Sequence, residues 1–362
     1  MNPFENYLRR QVIIYLAFFS VIFALIYLTI PYPILNGDLK AFLTGAKIIA
    51  SPDRAQLYDI DTQYHIQNSL LAAYGLYNPR LQPYLYLPVF AVYFLPLIFL
   101  PFSLAYFLNL FFMLSLVFIF LYLVKKHFPF PLYWLVPFAF TPQVYALLIS
   151  QPSIAVSLSF MLMYHFFSGR RYFISGLSTV LLLFKIQYFV IGLPFLLLAR
   201  PPKKFILGLL CGLLVVIGTC LLLVGPESLA AYPAFIQHFG LSANGGNFHQ
   251  QVHLPLILTI ILLPLILVFV ARIKPTLPST LVCLPFFLCI FSGHTYSQDL
   301  ALLLFPLFVL LKYRPRLAVI LLLVISIGFS LVPVIISWLI LLSGLYLLYA
   351  FRLENQPQKS IM

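Results

Sequence analysis

Runs of about twenty apolar residues recur along the whole of this chain, and that single pattern restricts it to structures that can be surrounded by lipid. Of its 362 residues, 63% are hydrophobic and 8% charged, a balance that suits no water-soluble domain. The expectation is an all-α polytopic membrane protein forming a single integral membrane domain over residues 1–362. Its first span, Gln11 to Ile30, follows Arg9-Arg10 and is followed by Pro-Tyr-Pro rather than a small-residue cleavage site, so it reads as an uncleaved signal anchor.

A formal net charge of +13 could suggest a nucleic-acid partner, but the basic residues stand in short clusters between apolar runs. They are topology signals, and no nucleic-acid partner is expected. Arg9-Arg10, Lys125-Lys126, Arg170-Arg171, Arg200 with Lys203-Lys204, Arg272 with Lys274, Lys312 with Arg314 and Arg316, and Arg352 are assigned to the cytoplasmic side. The opposite face then receives residues 31–84, the turns at Gln151 and at Lys185 to Gln187, residues 225–253, and His294 to Asp299. Six of the eight acidic residues fall in these outer segments.

Crossings counted between these marks give about twelve spans with both termini inside. Tyr84 to Pro101 is interrupted by Pro88, Pro96 and Pro101 and reads as a broken or re-entrant helix. Tyr172 to Ala199 is too long for one span, and Lys185-Ile186-Gln187 at its middle predicts two short helices meeting at the outer face.

The first outer loop, 31–84, carries helical patterns of its own. Leu39, Phe42, Leu43, Ala46 and Ile49 recur at helical spacing with Lys40, Thr44 and Lys47 between them, which predicts an amphipathic helix lying on the membrane. A second helix is expected to start at Asp59 or Asp61, either of which suits an N-cap, and to run to about Tyr77. The second large outer loop, 225–253, holds Gly245-Gly246-Asn247 flanked by Asn244 and His249, a turn suited to hydroxyl recognition.

Asp38 is the residue most in need of a chemical reason, a carboxylate beside the longest polar stretch of an otherwise lipid-like chain. Lys185, between Phe184 and Ile186, is costly to place without an anion or a water-filled cavity; it either serves a ligand or pairs with Asp38 or Asp299. Other polar candidates on the outer ends of spans are Gln143, Gln151, Gln187, His253, His294, Tyr296 and Gln298, and His294 and Gln298 would share a helical face that excludes Asp299. Tyr84, Tyr86 and Tyr296 suit either interfacial anchoring or stacking on a sugar. Cys211, Cys220, Cys283 and Cys289 lie in apolar runs without metal-type spacing, no acidic cluster has ligand spacing, and no cofactor or metal is expected. Walker, Rossmann, HExxH and GxSxG signatures are all missing, which argues against ATP-driven transport, dinucleotide chemistry and the common hydrolases.

Several of these residues together resemble glycosyltransferase family 87, the polyprenol-phosphate-mannose-dependent mannosyltransferases. Gly37-Asp38-Leu39, Gly45-Ala46, Leu57-Tyr58-Asp59 and Tyr84-Leu85-Tyr86-Leu87-Pro88 are similar to its first-loop pattern. Ser150-Gln151-Pro152-Ser153 resembles its Gly-Gln-Asn region, with serine in place of glycine, and Gly169-Arg170-Arg171, Gly176 and Leu183-Phe184-Lys185-Ile186-Gln187 through Leu198-Ala199-Arg200 resemble its Lys-Pro-Gln helix and basic turn, with isoleucine in place of proline. The resemblance implies a GT-C-type helical bundle with its active site on the extracytoplasmic face of a bacterial inner membrane. It also implies a polyprenyl-phosphate sugar as donor and a glycolipid or glycan as acceptor. In that frame Asp38 is the general base of an inverting transfer, Lys185, Gln187, Gln151 and His294 bind the donor phosphate, and Asn244, Asn247, His249, Tyr84, Tyr86 and Tyr296 bind acceptor or sugar. The competing expectation is a transporter or flippase for a lipid-linked or small anionic substrate, with Lys185 as a midplane charge and Asp38 as a gate.

Overall fold

The computed structural model describes residues 3–29, 37–72, 81–242, 256–292, 296–328 and 333–354, and every element among them is a helix. The protein is an integral membrane protein. Among the described residues, four apolar helical stretches have the length and composition to cross a membrane, Arg9–Ile26, Phe102–His127, Tyr172–Leu198 and Lys203–His238, against the twelve or so spans expected. The remaining apolar helices, such as Ser153–Ser168, Leu277–Phe291 and Pro315–Gly328, have 10–17 residues. The shortfall has a local cause: prolines and turns cut apolar stretches below the roughly twenty residues a bilayer requires.

Two breaks were legible in the sequence. The Tyr84–Pro101 stretch is divided into a short helix, Pro88–Ala91, and a 3₁₀ segment, Val92–Phe99, that contains Pro96. The Tyr172–Leu198 run is divided at Lys185, whose φ of −132° and ψ of 98° are extended rather than helical. A β-carbon on Gly192 would lie 3.9 Å from Leu182 Cδ1. Ten residues of straight helix span about 15 Å, so the chain doubles back at Lys185 and places it at the apex of a helical hairpin. A third break, at Gly225 (φ 80°, ψ 170°) before Pro226, divides the long Lys203–Ser242 stretch.

Arg9, Lys312, His127 and His165 meet at one end of the bundle. Arg9 donates to the Leu311 carbonyl at 3.0 Å and lies over the Phe130 ring, and Lys312 donates to the His127 carbonyl at 2.9 Å. His127 and His165 share a hydrogen bond of 2.8 Å, which brings the end of the Ser153–Ser168 helix to the same place. Ser153 starts that helix about 18 Å away, and it belongs to the polar site described below.

The described part of the first loop packs as a subdomain. Helix Leu39–Ile49 forms where expected, but its polar positions are covered: every residue except Lys47 is buried. The expectation that its Lys40 and Thr44 face water is therefore corrected. Thr44 turns its hydroxyl back onto the Lys40 carbonyl at 2.7 Å, and Gln67 of the neighbouring helix Ile60–Ala72 reaches that hydroxyl from the other side. Asp59 caps this second helix, accepting from the Thr62 N–H at 2.8 Å. Its described part ends at Ala72; the expected extension to Tyr77 lies outside the described residues. An aromatic cluster, Phe42, Tyr58, Tyr84, Phe94, Tyr106, Tyr232 and Phe235, forms the core that ties this subdomain to the bundle.

Candidate active site

Two buried glutamines, one turn apart on helix Ile60–Ala72, fasten the extended segment that lines the site. Gln63 donates to the Leu57 carbonyl at 2.6 Å and accepts from the Tyr84 N–H at 2.8 Å. Gln67 pairs with both backbone groups of Gln82, accepting from its N–H at 2.9 Å and donating to its carbonyl at 2.8 Å. Paired amides of this kind fix a segment that belongs to no helix or sheet. Tyr84 is held in the same way: its ring packs where a β-carbon on Gly45 would come within 2.6 Å, and its hydroxyl donates to the Leu87 carbonyl at 2.7 Å.

Asp38 stands at the start of helix Leu39–Ile49 and faces this segment. Its N–H donates to the Ile149 carbonyl at 2.8 Å, and a β-carbon on Gly37 would lie 2.9 Å from that same oxygen, so glycine is needed for the backbones to meet. The partner strand is the turn Ile149–Ser150–Gln151, whose Ser150 has a left-handed φ of 62°. Glycine adopts that conformation more readily than serine does.

The Asp38 carboxylate accepts from the side-chain amides of Gln82 and Gln151 and from the Tyr86 hydroxyl, the last at 3.3 Å. All three donors are neutral. Asp38 remains half-buried rather than closed off, and desolvation pushes its carboxyl up from 3.8 to about 6. The nearby Lys185 charge and the bonds from Tyr86 and Gln151 work against that rise, while the Asp299 charge adds to it. Burial and the neighbouring Asp38 charge push the Tyr86 phenol well above its ordinary value, so it stays a donor.

A second carboxylate lies within electrostatic reach. Asp299, its side chain fully buried, forms an ion pair with Lys185 at the hairpin apex. It also accepts from the Ser153 hydroxyl at 3.3 Å and from the Tyr296 N–H at 3.1 Å. Of the two ion-pair partners considered for Lys185, Asp38 and Asp299, Asp299 is the one found.

Of the sequence-derived candidates, Asp38, Gln151 and Tyr86 are in direct contact, with Lys185 beside them. Gln187 is half-buried in the first turn after Lys185. Tyr84 is completely buried, with its hydroxyl engaged, and supports Tyr86 from behind at a ring distance of 5.7 Å. Tyr296 is half-buried beside Asp299. Asn244, Asn247, His249, His253 and His294 lie outside the described residues. Gln82 was not anticipated; the one signal for it is its place in the polar stretch before Tyr84. Among the described residues no group of three or more His, Cys, Asp or Glu side chains could hold a metal ion.

The site thus has a proton acceptor open to the surface, a cation, and amide and phenol donors, a set suited to moving a proton and handling an anion. No curated protein and no solved structure matches the chain. The pattern of glycosyltransferase family 87 matches residues 84–284, more than half of the 362. Gln151 and Lys185 fall inside the matched stretch, Asp38 and Asp299 outside it. A glycosyltransferase rather than a transporter is what the match implies, and the chain belongs to glycosyltransferase family 87.

Proposed function

We propose that this glycosyltransferase moves a hexose, mannose, from a polyprenyl-phosphate donor to a glycolipid or glycan acceptor at the extracytoplasmic face, with inversion. We assign the site to a GT-C-type bundle in a bacterial inner membrane. The observation that carries the reading is the setting of Asp38, a half-buried carboxylate held by Gln82, Gln151 and Tyr86 with its protonation midpoint raised to about 6. Such a group is ionised at neutral pH yet takes up a proton readily, as a general base must.

In the proposed step Asp38 takes the proton of the acceptor hydroxyl as that oxygen bonds to the anomeric carbon. The bond from the anomeric carbon to the phosphate oxygen breaks on the opposite face, its electron pair leaving with polyprenyl phosphate. Asp38 then returns the proton to solvent. Lys185, oriented by Asp299, and Gln187 and His294 are assigned to the charge that develops on the leaving phosphate. Gln151 joins the two halves, holding Asp38 directly while Ser153, two residues on, contacts Asp299. Asn244, Asn247 and His249 are assigned to the acceptor, Tyr296 to the sugar, and Tyr86 to both the sugar and Asp38.

The opposite ends of helix Ser153–Ser168, one polar with Asp38 and Asp299 and one basic, support an outward-facing site. The test is transfer by purified protein in lipid from radiolabelled polyprenyl-phosphate mannose to a mixed glycolipid pool, with wild type beside Asp38→Asn. Product from wild type, with loss of product but retained donor binding in a folded Asp38→Asn, is the expected result. Equal product from the two proteins would refute the role of Asp38.

A further inference from the structure

We propose that Gln67 is a positioning residue for the base, acting from outside the reacting centre by holding Gln82 against the Asp38 carboxylate. The inference rests on the role assigned to Asp38 above. Among the described residues Gln67 hydrogen-bonds to Gln82 and Thr44 and not to Asp38, so its influence on the carboxylate passes through Gln82.

The three donors to Asp38 are placed by different means. Gln151 belongs to the turn whose Ile149 carbonyl accepts from the Asp38 N–H at 2.8 Å, so a direct backbone bond fixes it beside the carboxylate. The Tyr86 ring packs 4.7 Å from that of Phe42 on helix Leu39–Ile49. Gln82 has neither anchor. Residues 81–85 belong to no helix or strand, and the N–H and carbonyl of Gln82 both end on Gln67, at 2.9 and 2.8 Å. A residue whose two backbone groups are met by one side chain goes where that side chain puts it.

Gln67 is 2% exposed and its amide is fully committed. Besides its two bonds to Gln82, it donates to the Thr44 hydroxyl at 3.4 Å, and that hydroxyl gives its own proton to the Lys40 carbonyl at 2.7 Å. Thr44 and Lys40 stand on helix Leu39–Ile49, the helix that Asp38 begins. A closed ring results, from Asp38 along its helix to Thr44, across to Gln67, on to Gln82 and back to Asp38. The ring fixes both ends of the Asp38–Gln82 bond, and a donor to a carboxylate favours its ionised form. Gln63, one turn earlier on the same helix and equally buried, supplies the contrast: it serves Leu57 and Tyr84, neither of which donates to Asp38.

The test titrates the Asp38 carboxyl by infrared difference spectroscopy, with Asp38→Asn identifying its band, and records single-turnover transfer beside it. The proteins compared in lipid nanodiscs are wild type, Gln82→Met, Gln67→Met, the Gln67→Met/Gln82→Met double variant and Gln63→Met. Gln67→Met is expected to raise the titration midpoint and slow transfer about 10- to 100-fold, as Gln82→Met does, and the double variant to go no further than either. Gln63→Met should lower the thermal midpoint and leave the titration in place. If Gln67→Met does not fold, Thr44→Val, which releases Gln67 from helix Leu39–Ile49 but keeps its bonds to Gln82, should move the titration the same way by less. An unmoved titration in Gln67→Met, or in Thr44→Val where that variant stands in for it, would overturn the inference alone, as would effects that add in the double variant. The expected titration shifts in a wild type that transfers no sugar would overturn the reaction assigned above and leave the positioning role of Gln67 standing.

Discussion

Asp38 and Asp299 feel each other's charge but live in opposite settings. Asp299 is closed off, brought up by a late segment of the chain, and neutralised by Lys185. Asp38 comes from the first loop, stays half-buried, and is held by two amides and a phenol. A carboxylate matched with a cation is suited to a positional role. One solvated by neutral donors keeps its capacity to take a proton. Under the proposed function, the difference divides the site into a part that reacts and a part that positions.

The largest expected effect comes from removing the reactive member. Asp38→Asn should lower the transfer rate about 10²- to 10⁴-fold, measured in single turnover, while donor binding persists. It should also be more stable than wild type at neutral pH. The sign follows from a carboxyl raised from 3.8 to about 6: the folded protein holds this proton more tightly than the unfolded chain, so the group favours folding below about pH 4 and loses that contribution as pH rises to about 6. Asparagine never ionises and avoids the loss, a gain of at most about 3 kcal/mol read from thermal unfolding at pH 7.

Breaking the positioning pair should act on stability first. Lys185→Met leaves Asp299 buried without its cation and should cost about 3–5 kcal/mol, whereas the double variant Lys185→Met/Asp299→Leu should recover most of the loss without recovering transfer. Denaturation of the three proteins side by side checks this. If Lys185→Met were as stable as wild type, the ion pair would not be the structural element described.

A smaller change sharpens the contrast. Tyr86→Phe removes one donor to Asp38 and should slow transfer about tenfold, leaving the Asp299 side untouched. Smallest of all, Ser150→Gly should raise stability by up to about 1 kcal/mol, because Ser150 has a left-handed φ of 62° and its buried hydroxyl has no partner in the structure. Calorimetry would detect it.

The sequence disclosed local events well. Prolines announced the broken stretch after Tyr84, a lysine inside an apolar run announced the turn at Lys185, and Asp59 announced a helix start. Long-range pairings were harder to read. Helix Leu39–Ile49 has an amphipathic pattern whose polar side is buried because Gln67, more than twenty residues later, satisfies Thr44. Nothing local to Gln82 indicates that Gln67 will clamp its backbone and aim its side chain at Asp38. The pairing of Lys185 with Asp299 joins positions 114 apart and was one of several open options. The count of about twelve spans is not confirmed for a related reason: apolar composition marks what lipid can surround, but not where a kinked helix stops crossing.

The most direct test of the division between the two carboxylates is the pH dependence of single-turnover transfer. The account predicts that activity in wild type falls on the acid side with a midpoint at about pH 6, as Asp38 takes up its proton. In Tyr86→Phe that midpoint should move to higher pH, because a bond that favours the ionised form is gone. A profile with no acid limb, or one that Tyr86→Phe leaves in place, would contradict the assignment of Asp38 as the base.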